Sequence, residues 1–220
     1  VGQARTDSST LAGSPQGEGI FRDFHVIGNA AVAPASGGSP KVVLQSGSVL
    51  LLFSVGSIRD ISTSGCTISY ANSSNVEILL DTPYDYKGYD AALHGGSAFF
   101  NGSSHNNKIS VDPASTSDFD FGTNPFTINF WAYVNDNSST SALFSTDETS
   151  GASYSGNGRI RFLESVGTIQ CYVTSAAGSD ISFSGTILGP PEKHWGYISL
   201  VRNGTSFKIY VDGIERGSKT

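Results

Sequence analysis

The fold of this chain is decided near its end, in the stretch "WGYISLVRNGTSFKIYVDG" at residues 195–213. Apolar and polar residues alternate from Phe207 to Val211, which is the pattern of a strand that buries one face. Asn203-Gly204 precedes this run and Asp212-Gly213 follows it, and both dipeptides tolerate the positive φ angles of tight hairpins. The stretch therefore predicts a three-stranded antiparallel meander.

The stretch "FTINFWAYV" at residues 126–134 shows the same alternation over nine residues. One predicted face carries Phe126, Ile128, Phe130, Ala132 and Val134, and the other carries Thr127, Asn129, Trp131 and Tyr133. We expect the core to include Phe126, Ile128, Phe130, Ile198, Leu200, Phe207 and Ile209. Trp131 and Trp195 lie inside strands, so we interpret them as core or sheet-surface residues.

The composition and the spacing of turns predict an all-β fold. Aromatic residues make up 11% of the chain and there are 26 glycines, which favours short strands joined by tight turns. From Lys41 onward about ten short strands are separated by turn signals, and no segment shows a helical period beyond one turn. We therefore predict an antiparallel two-sheet sandwich of the jelly-roll kind over residues 41–220.

Residues 1–40 have a different texture. They are rich in Gly, Ser, Ala and Pro, a composition that cannot bury enough surface to offset the entropy of ordering the chain. We predict an extended N-terminal arm that is ordered by contact with another subunit. The apolar patch in "GIFRDFHVIG", residues 19–28, either anchors the arm on another surface or packs on its own domain.

Charge and hydropathy argue against two classes of partner. The net charge of −6 and the pI near 5.0 offer no basic face for nucleic acid. The longest apolar run, Val49 to Phe53, is far shorter than the ~20 residues of a membrane-spanning helix, so no membrane insertion is expected. Cys66 and Cys171 each sit in a strand-like stretch that suits a small core hydrophobe, with a disulfide between two sheets as the alternative.

Four stretches, in order, resemble the markers of a laminin G-like, concanavalin A-like jelly-roll domain. They are "VLLLFSVGSIRDISTSG" (49–65), "GGSAFFNGSSHNNKISV" (95–111), "NPFTINFWAYV" (124–134) and the stretch at 195–213. The resemblance runs from about Val49 to the end, with Phe-Asn-Gly at 100–102 where the family has Phe-Asp-Gly. The family pattern continues past the Tyr-Val-Asp-Gly hairpin through at least two further strands. We therefore expect the domain to continue beyond Thr220, with completion of the sheet by a neighbouring subunit as the alternative.

The resemblance also implies a function. Such domains are similar to those on bacteriophage tail, fibre and virion-surface proteins, which implies a virion structural protein: a tail fibre, spike or capsid decoration. Its lectin-like domain would recognise host-surface carbohydrate, its arm would contact other virion proteins, and the protein would be a homo-oligomer assembled in the host cytoplasm. Two alternatives remain open: a secreted, extracellular calcium-dependent glycan-binding adhesion module, and a sandwich-fold glycoside hydrolase or lyase.

The distribution of acids favours binding over catalysis. Glycosidases need two carboxylates aimed at one bond. Asp118 and Asp120 precede a Gly and a Pro and are typical of a loop, while Asp147 and Glu148 are adjacent and point opposite ways on an extended chain. The four histidines occur singly, without metal-ligand spacing. We therefore expect no enzyme activity and no required cofactor.

The long loop "STDETSGASYSGNGR", residues 145–159, is the predicted glycan site, because loops of this length in compact domains are usually functional or mobile. Its candidate ligand-binding residues are Asp147, Glu148, Tyr154, Asn157 and Arg159. The resemblance further implies calcium at one rim of the sandwich, with Asp60, Asn107 and Asp147 as candidate ligands. Solvated loop acids and Asx-turns are the alternative for each of these, and Asp212 is assigned to the hairpin.

Overall fold

The computed structural model describes residues 9–11, 19–28, 30–31, 33, 48–55, 57–60, 62, 64–70, 76–80, 83, 95–101, 108–112, 119, 121–135, 141–146, 159–174 and 180–220. Within these residues the chain forms strands, turns and bends. None of them belongs to a helix long and apolar enough to span a membrane.

The described residues form sixteen strands. In order they are β1 (Ser9–Leu11), β2 (Gly19–Gly28), β3 (Ser48–Val55), β4 (Ser57–Asp60), β5 (Thr67–Tyr70), β6 (Val76–Leu79), β7 (Ser97–Phe100), β8 (Ile109–Asp112), β9 (Phe126–Val134), β10 (Ser141–Ser145), β11 (Arg159–Ser165), β12 (Thr168–Thr174), β13 (Asp180–Leu188), β14 (Trp195–Asn203), β15 (Ser206–Val211) and β16 (Ile214–Lys219).

These strands form two antiparallel sheets. A seven-stranded sheet has the order β13-β12-β11-β10-β1-β8-β5. A nine-stranded sheet has the order β16-β15-β14-β9-β2-β3-β4, with β7 also paired to β2 and β6 paired to β7. The predicted all-β antiparallel sandwich is confirmed. We call the end where β9 begins the Phe126 end, and the end where β9 finishes the Val134 end.

The predicted C-terminal meander is confirmed as β14, β15 and β16. Between β14 and β15 the two loop residues are Gly204 and Thr205, with Gly204 at φ 61°, so the turn lies one residue later than the Asn-Gly dipeptide suggests. Between β15 and β16, Asp212 and Gly213 take φ values of 52° and 76°. Both angles positive is the requirement of the turn that matches the right-handed twist of a hairpin.

The core lies between the sheets and is built largely of aromatic and branched side chains. Phe130 from the nine-stranded sheet meets Phe162 from the seven-stranded sheet edge to face, with ring centroids 5.5 Å apart. All seven predicted core residues are buried, with at most 5% of the surface of any one exposed. At the sheet edges β16 packs over β13. Gly217 of β16 lies so close to Phe183 of β13 that a Cβ at residue 217 would be 3.2 Å from Phe183 Cδ1.

Two segments that the sequence places in the N-terminal arm are strands of the sandwich. β2 lies between β9 on one side and β3 and β7 on the other, and β1 lies between β8 and β10. Val26 and Ile27 of β2 have no exposed surface. The apolar patch at 19–28 therefore packs on its own domain, which was the alternative to anchoring elsewhere. The rest of residues 1–40, except 30, 31 and 33, lies outside the described residues.

The overall composition of residues 1–40 did not indicate β2, because the small and polar residues of this segment outnumber the apolar residues of the strand. β2 itself carries Ile20, Phe21, Phe24, Val26 and Ile27, but most of the other residues from 1 to 40 are small or polar. β2 also carries a register shift between Arg22 and His25 against β9. Such a bulge breaks the period-2 alternation that identifies a strand in a sequence.

Candidate functional site

The predicted glycan loop is described only at its base. Asp147, Glu148, Tyr154 and Asn157 lie outside the described residues, and Arg159 is the first residue of β11, paired with Thr174. The base is held by two hydrogen bonds: the Thr146 amide donates to the Ile160 carbonyl at 3.0 Å, and the Ile160 amide donates to Thr146 Oγ1 at 3.0 Å. The loop thus leaves and rejoins the seven-stranded sheet at the Phe126 end.

Of the predicted calcium ligands, Asn107 and Asp147 also lie outside the described residues. The carboxylate of Asp60 accepts hydrogen bonds from the Ser62 amide (2.9 Å), the Ser62 hydroxyl (2.8 Å) and the Cys66 amide (2.8 Å). Asp60 therefore organises the loop between β4 and β5 as an Asx-turn does.

The described strands on either side of Asn107 lie at a different end of the sandwich from Asp60. The strands that flank Asn107, β7 and β8, meet at the Val134 end, whereas Asp60 lies at the Phe126 end. Among the residues that the structure describes, no group of three or more His, Cys, Asp or Glu side chains could hold a metal ion. Calcium binding stays a prediction.

Both cysteines are free thiols in the hydrophobic core, as the first interpretation of the sequence predicted. Cys171 has no exposed surface, and burial raises the pKa of its thiol far above the ordinary value. A thiol that stays protonated is a poor nucleophile. Cys171 therefore acts as a small core side chain.

The outer face of the nine-stranded sheet carries a cluster that sequence reasoning missed. We call Trp131, Tyr133, Trp195 and Tyr197 the aromatic quartet. Tyr197 stands directly opposite Trp131 and Trp195 directly opposite Tyr133 in the register of β9 and β14. The ring centroids are 5.2 Å apart in the first pair and 5.6 Å apart in the second.

The quartet presents a partly open aromatic surface. Trp131, Tyr133 and Trp195 are half-buried, while Tyr197 is buried with 6% of its surface exposed. Aromatic rings on one sheet face prefer offset or edge contacts, and both pairs are tilted or edge-on. Three of the four aromatic residues, Trp131, Tyr133 and Trp195, therefore keep part of their surface exposed on this face.

The hairpin residue Asp212 binds the backbone of Tyr197, one member of the quartet. Its Oδ1 accepts a hydrogen bond from the Tyr197 amide at 2.8 Å, and its own amide donates to the Tyr197 carbonyl at 2.8 Å. Asp212 thus pairs both backbone groups of Tyr197 just where the ladder between β14 and β15 ends. The assignment of Asp212 to the hairpin is confirmed, and it also fixes the start of β14.

The turn that leads into β14 supports the other side of the quartet. The Lys193 amide donates to the Val134 carbonyl at 2.8 Å, which ties this turn to the end of β9. Pro190 packs directly on Gly196, so that a Cβ at residue 196 would overlap the proline ring. Exposed Glu192, Lys193 and His194 border Trp195 at the Val134 end.

Alternation along β9 had already placed Trp131 and Tyr133 on the polar face of that strand. The quartet as a unit was missed because it also needs the register of β14 against β9, which no local pattern states. The usable signal was the pair of aromatic residues at alternate positions on each of two strands, Trp131 and Tyr133 on one and Trp195 and Tyr197 on the other.

The model of the concanavalin A-like lectin/glucanases superfamily (Laminin_G_3) matches residues 89–220. No curated protein matches the chain. Among solved structures, the binding domain of Paraclostridial Mosquitocidal Protein 1 is similar, with a TM-score of 0.53 and 16% identity over 78% of this chain and 40% of that one.

The botulinum neurotoxin serotype D binding domain also matches, with a TM-score of 0.35 and 12% identity over 78% of this chain and 39% of that one. This chain therefore spans about two fifths of the length of both toxin domains. At 16% identity the likeness to the mosquitocidal protein concerns the fold alone. The family match covers more than half of the chain and includes β9, β14 and the hairpin after β15, and the chain belongs to the concanavalin A-like lectin/glucanase superfamily.

Proposed function

We propose that this chain is a carbohydrate-binding module whose ligand lies on the aromatic quartet. The single observation that carries the proposal is the pairing of two aromatic residues on β9 with two on β14 on the outer face of one sheet. Sugar rings have an apolar face of C–H groups that packs on aromatic rings, while their hydroxyls need polar partners nearby. The exposed turn residues 192–194 and the half-buried Tyr210 supply such partners.

The experiment is a glycan-array screen of the purified chain, followed by isothermal titration with the best ligand. Trp131→Ala should weaken binding about 30-fold or more, as loss of a central aromatic contact does. Tyr172→Ala is the matched control, because Tyr172 is a half-buried aromatic residue of β12 in the other sheet. Equal affinities for both variants, or an array without any ligand, would contradict the proposal.

Binding without catalysis is part of the proposal. Asp60 and Asp212 engage backbone amides, and Glu215 is paired with Lys208 at 2.9 Å. Each of these acids therefore has a structural task in the folded chain. Incubation with a panel of polysaccharides tests this directly: release of reducing ends that disappears on substitution of one acid would establish a glycoside hydrolase instead.

We also propose a virion setting, in which the module belongs to a tail fibre, spike or capsid decoration and binds a host-surface glycan. The four family-like stretches quoted above support this setting. Contact with other virion proteins and a homo-oligomeric state belong to the same proposal. Mass spectrometry of purified virions should detect peptides of this chain, and light scattering should give an oligomer mass; a signal peptide on the gene would favour the secreted adhesion module.

A further inference from the structure

A row of polar residues crosses the nine-stranded sheet beside the aromatic quartet. We call Asn129, Ser199, Tyr210 and Glu215 the polar row. They stand directly opposite one another in β9, β14, β15 and β16, so their side chains point to the same outer face. The only charge in this row is that of Glu215, and Lys208 pairs with it at 2.9 Å.

The hydroxyl of Ser199 is the unusual member of the row. Ser199 has no exposed surface, and its Oγ has no hydrogen-bond partner. A serine hydroxyl carries one donor and two acceptor sites, and buried hydroxyls in native proteins almost always use at least one of them. The neighbouring outward-facing hydroxyl, that of Thr127, follows the rule by donating to the Ala30 carbonyl at 3.1 Å.

Burial along the row decreases toward the sheet edge. The Glu215 side chain is 41% exposed, Tyr210 is half-buried, and Ser199 is fully buried. In the register of the strands, Tyr210 stands between Ser199 and Glu215 at that edge. Ser199 is also two residues from Tyr197 on the same strand face, which is a step of about 7 Å. Adjacent units of a sugar chain can bridge such a step.

We propose that Ser199 is a specificity-determining residue of the carbohydrate site, and that the polar row binds an uncharged pyranose unit next to the unit stacked on the quartet. The Ser199 hydroxyl exchanges its unpaired state for a hydrogen bond with a ligand hydroxyl, and Asn129 offers an amide beside it. Tyr210 turns aside to admit the ligand. This inference rests on the proposed function, because it assigns a second unit to the same site.

The test compares three variants of the full chain against fixed probes by titration calorimetry. The probes are cellohexaose, laminarihexaose, mannohexaose and, as an acidic counterpart, hexagalacturonate. Ser199→Ala removes the unpaired hydroxyl, Thr127→Val removes the paired hydroxyl of the neighbouring row, and Trp131→Ala removes the stacking surface. Thermal unfolding is measured for each variant.

We expect Ser199→Ala to bind the best neutral probe about fivefold to tenfold more weakly while its unfolding midpoint stays equal or rises. Thr127→Val should do the reverse, with a lower midpoint and unchanged affinity. A purely structural hydroxyl would not lower affinity while leaving stability intact. Hexagalacturonate should bind more weakly than the neutral probes, because the row adds no free positive charge and the chain is acidic.

The outcomes separate this inference from the proposed function. If Trp131→Ala weakens binding and Ser199→Ala does not, the quartet binds sugar and the role of Ser199 is refuted. If the acidic probe binds best, the assignment of an uncharged unit is refuted. If the wild-type chain binds none of the probes and no glycan on the array, the proposed function and this inference fall together.

Discussion

Aromatic residues have different roles on the two faces of β9. On the inner face Phe130 is fully buried, and its ring meets Phe162 of the opposite sheet at 5.5 Å. On the outer face Trp131 is half-buried, and its ring lies beside a neighbour of its own sheet, Tyr197, with the ring centroids 5.2 Å apart. Contacts across the sandwich hold the fold together, whereas contacts along one sheet leave part of each ring for a ligand.

The largest effect should come from the inner face. Phe130→Ala removes a fully buried ring between the sheets and should cost about 3–5 kcal/mol of unfolding free energy, since the cavity cannot collapse completely. Denaturant titration of both chains measures the difference. Tyr133→Ala, on the outer face of the same strand, is the control and should cost about 1 kcal/mol. Similar losses for both variants would erase the distinction between the faces.

A smaller loss should follow from crowding the Val134 end. Gly196→Ala places a methyl group against the Pro190 ring and should cost about 1–3 kcal/mol, as overpacking does. The added change Pro190→Ala should restore most of the loss. Gly189→Ala is the matched control, because its methyl group would lie 3.2 Å from the Ile169 side chain, which can shift. An undisturbed unfolding midpoint in Gly196→Ala would show that the turn is not packed as described.

Loss of the hairpin carboxylate should cost less again. Asp212→Ala leaves the buried Tyr197 amide without its side-chain acceptor and places Ala at a positive φ, so about 1–2 kcal/mol should be lost. Asp212→Asn retains an acceptor and tolerates that φ, and it should be close to neutral. These two variants also test the outer face, because Asp212 holds the backbone of Tyr197 in the quartet. Sugar binding should weaken in Asp212→Ala only to the extent that the start of β14 loses its order. Equal stability of the two variants would contradict the assigned role.

The smallest effect concerns the exposed ion pair at the sheet edge. The hydrogen bond from Lys208 to Glu215, with the charge of Glu215, raises the pKa of the Lys208 ammonium above its ordinary value of 10.5. Because the folded-state pKa is the higher one, any stabilisation is fully present below pH 10.5 and is lost as the pH rises through the folded value. NMR titration of Lys208 should show the raised pKa, and Glu215→Gln should return it toward the ordinary value. A Lys208 pKa that does not respond to Glu215→Gln would show that the pair does not form in solution.

Part of this architecture could be predicted from local pattern alone. Alternation in "FTINFWAYV" assigned Phe130 to the core and Trp131 to the other face, and both assignments hold. Asp212-Gly213 marked a hairpin that is present with the expected angles. The family-like stretches pointed to the superfamily whose model matches residues 89–220.

The candidate site could not be predicted in the same way. The long loop at 145–159 drew attention because of its length and polar composition, yet the described aromatic surface lies on strands. The quartet and the polar row depend on which residues stand opposite one another, as Ser199 stands between Asn129 and Tyr210. Nothing in the neighbourhood of Ser199 along the chain indicates that its hydroxyl is buried without a partner.

The sequence by itself determined the class of fold, the two faces of β9 and β15, and the hairpin at Asp212-Gly213, because these follow from side-chain alternation and from the φ angles that Gly and Asp tolerate. Only the tertiary structure decided that β2 lies beside β9, that Trp131 meets Tyr197, and that Ser199 is buried where it stands opposite Asn129 and Tyr210. The physical reason is that alternation sets the direction of a side chain, whereas its neighbour across the sheet is set by packing between residues far apart in the chain.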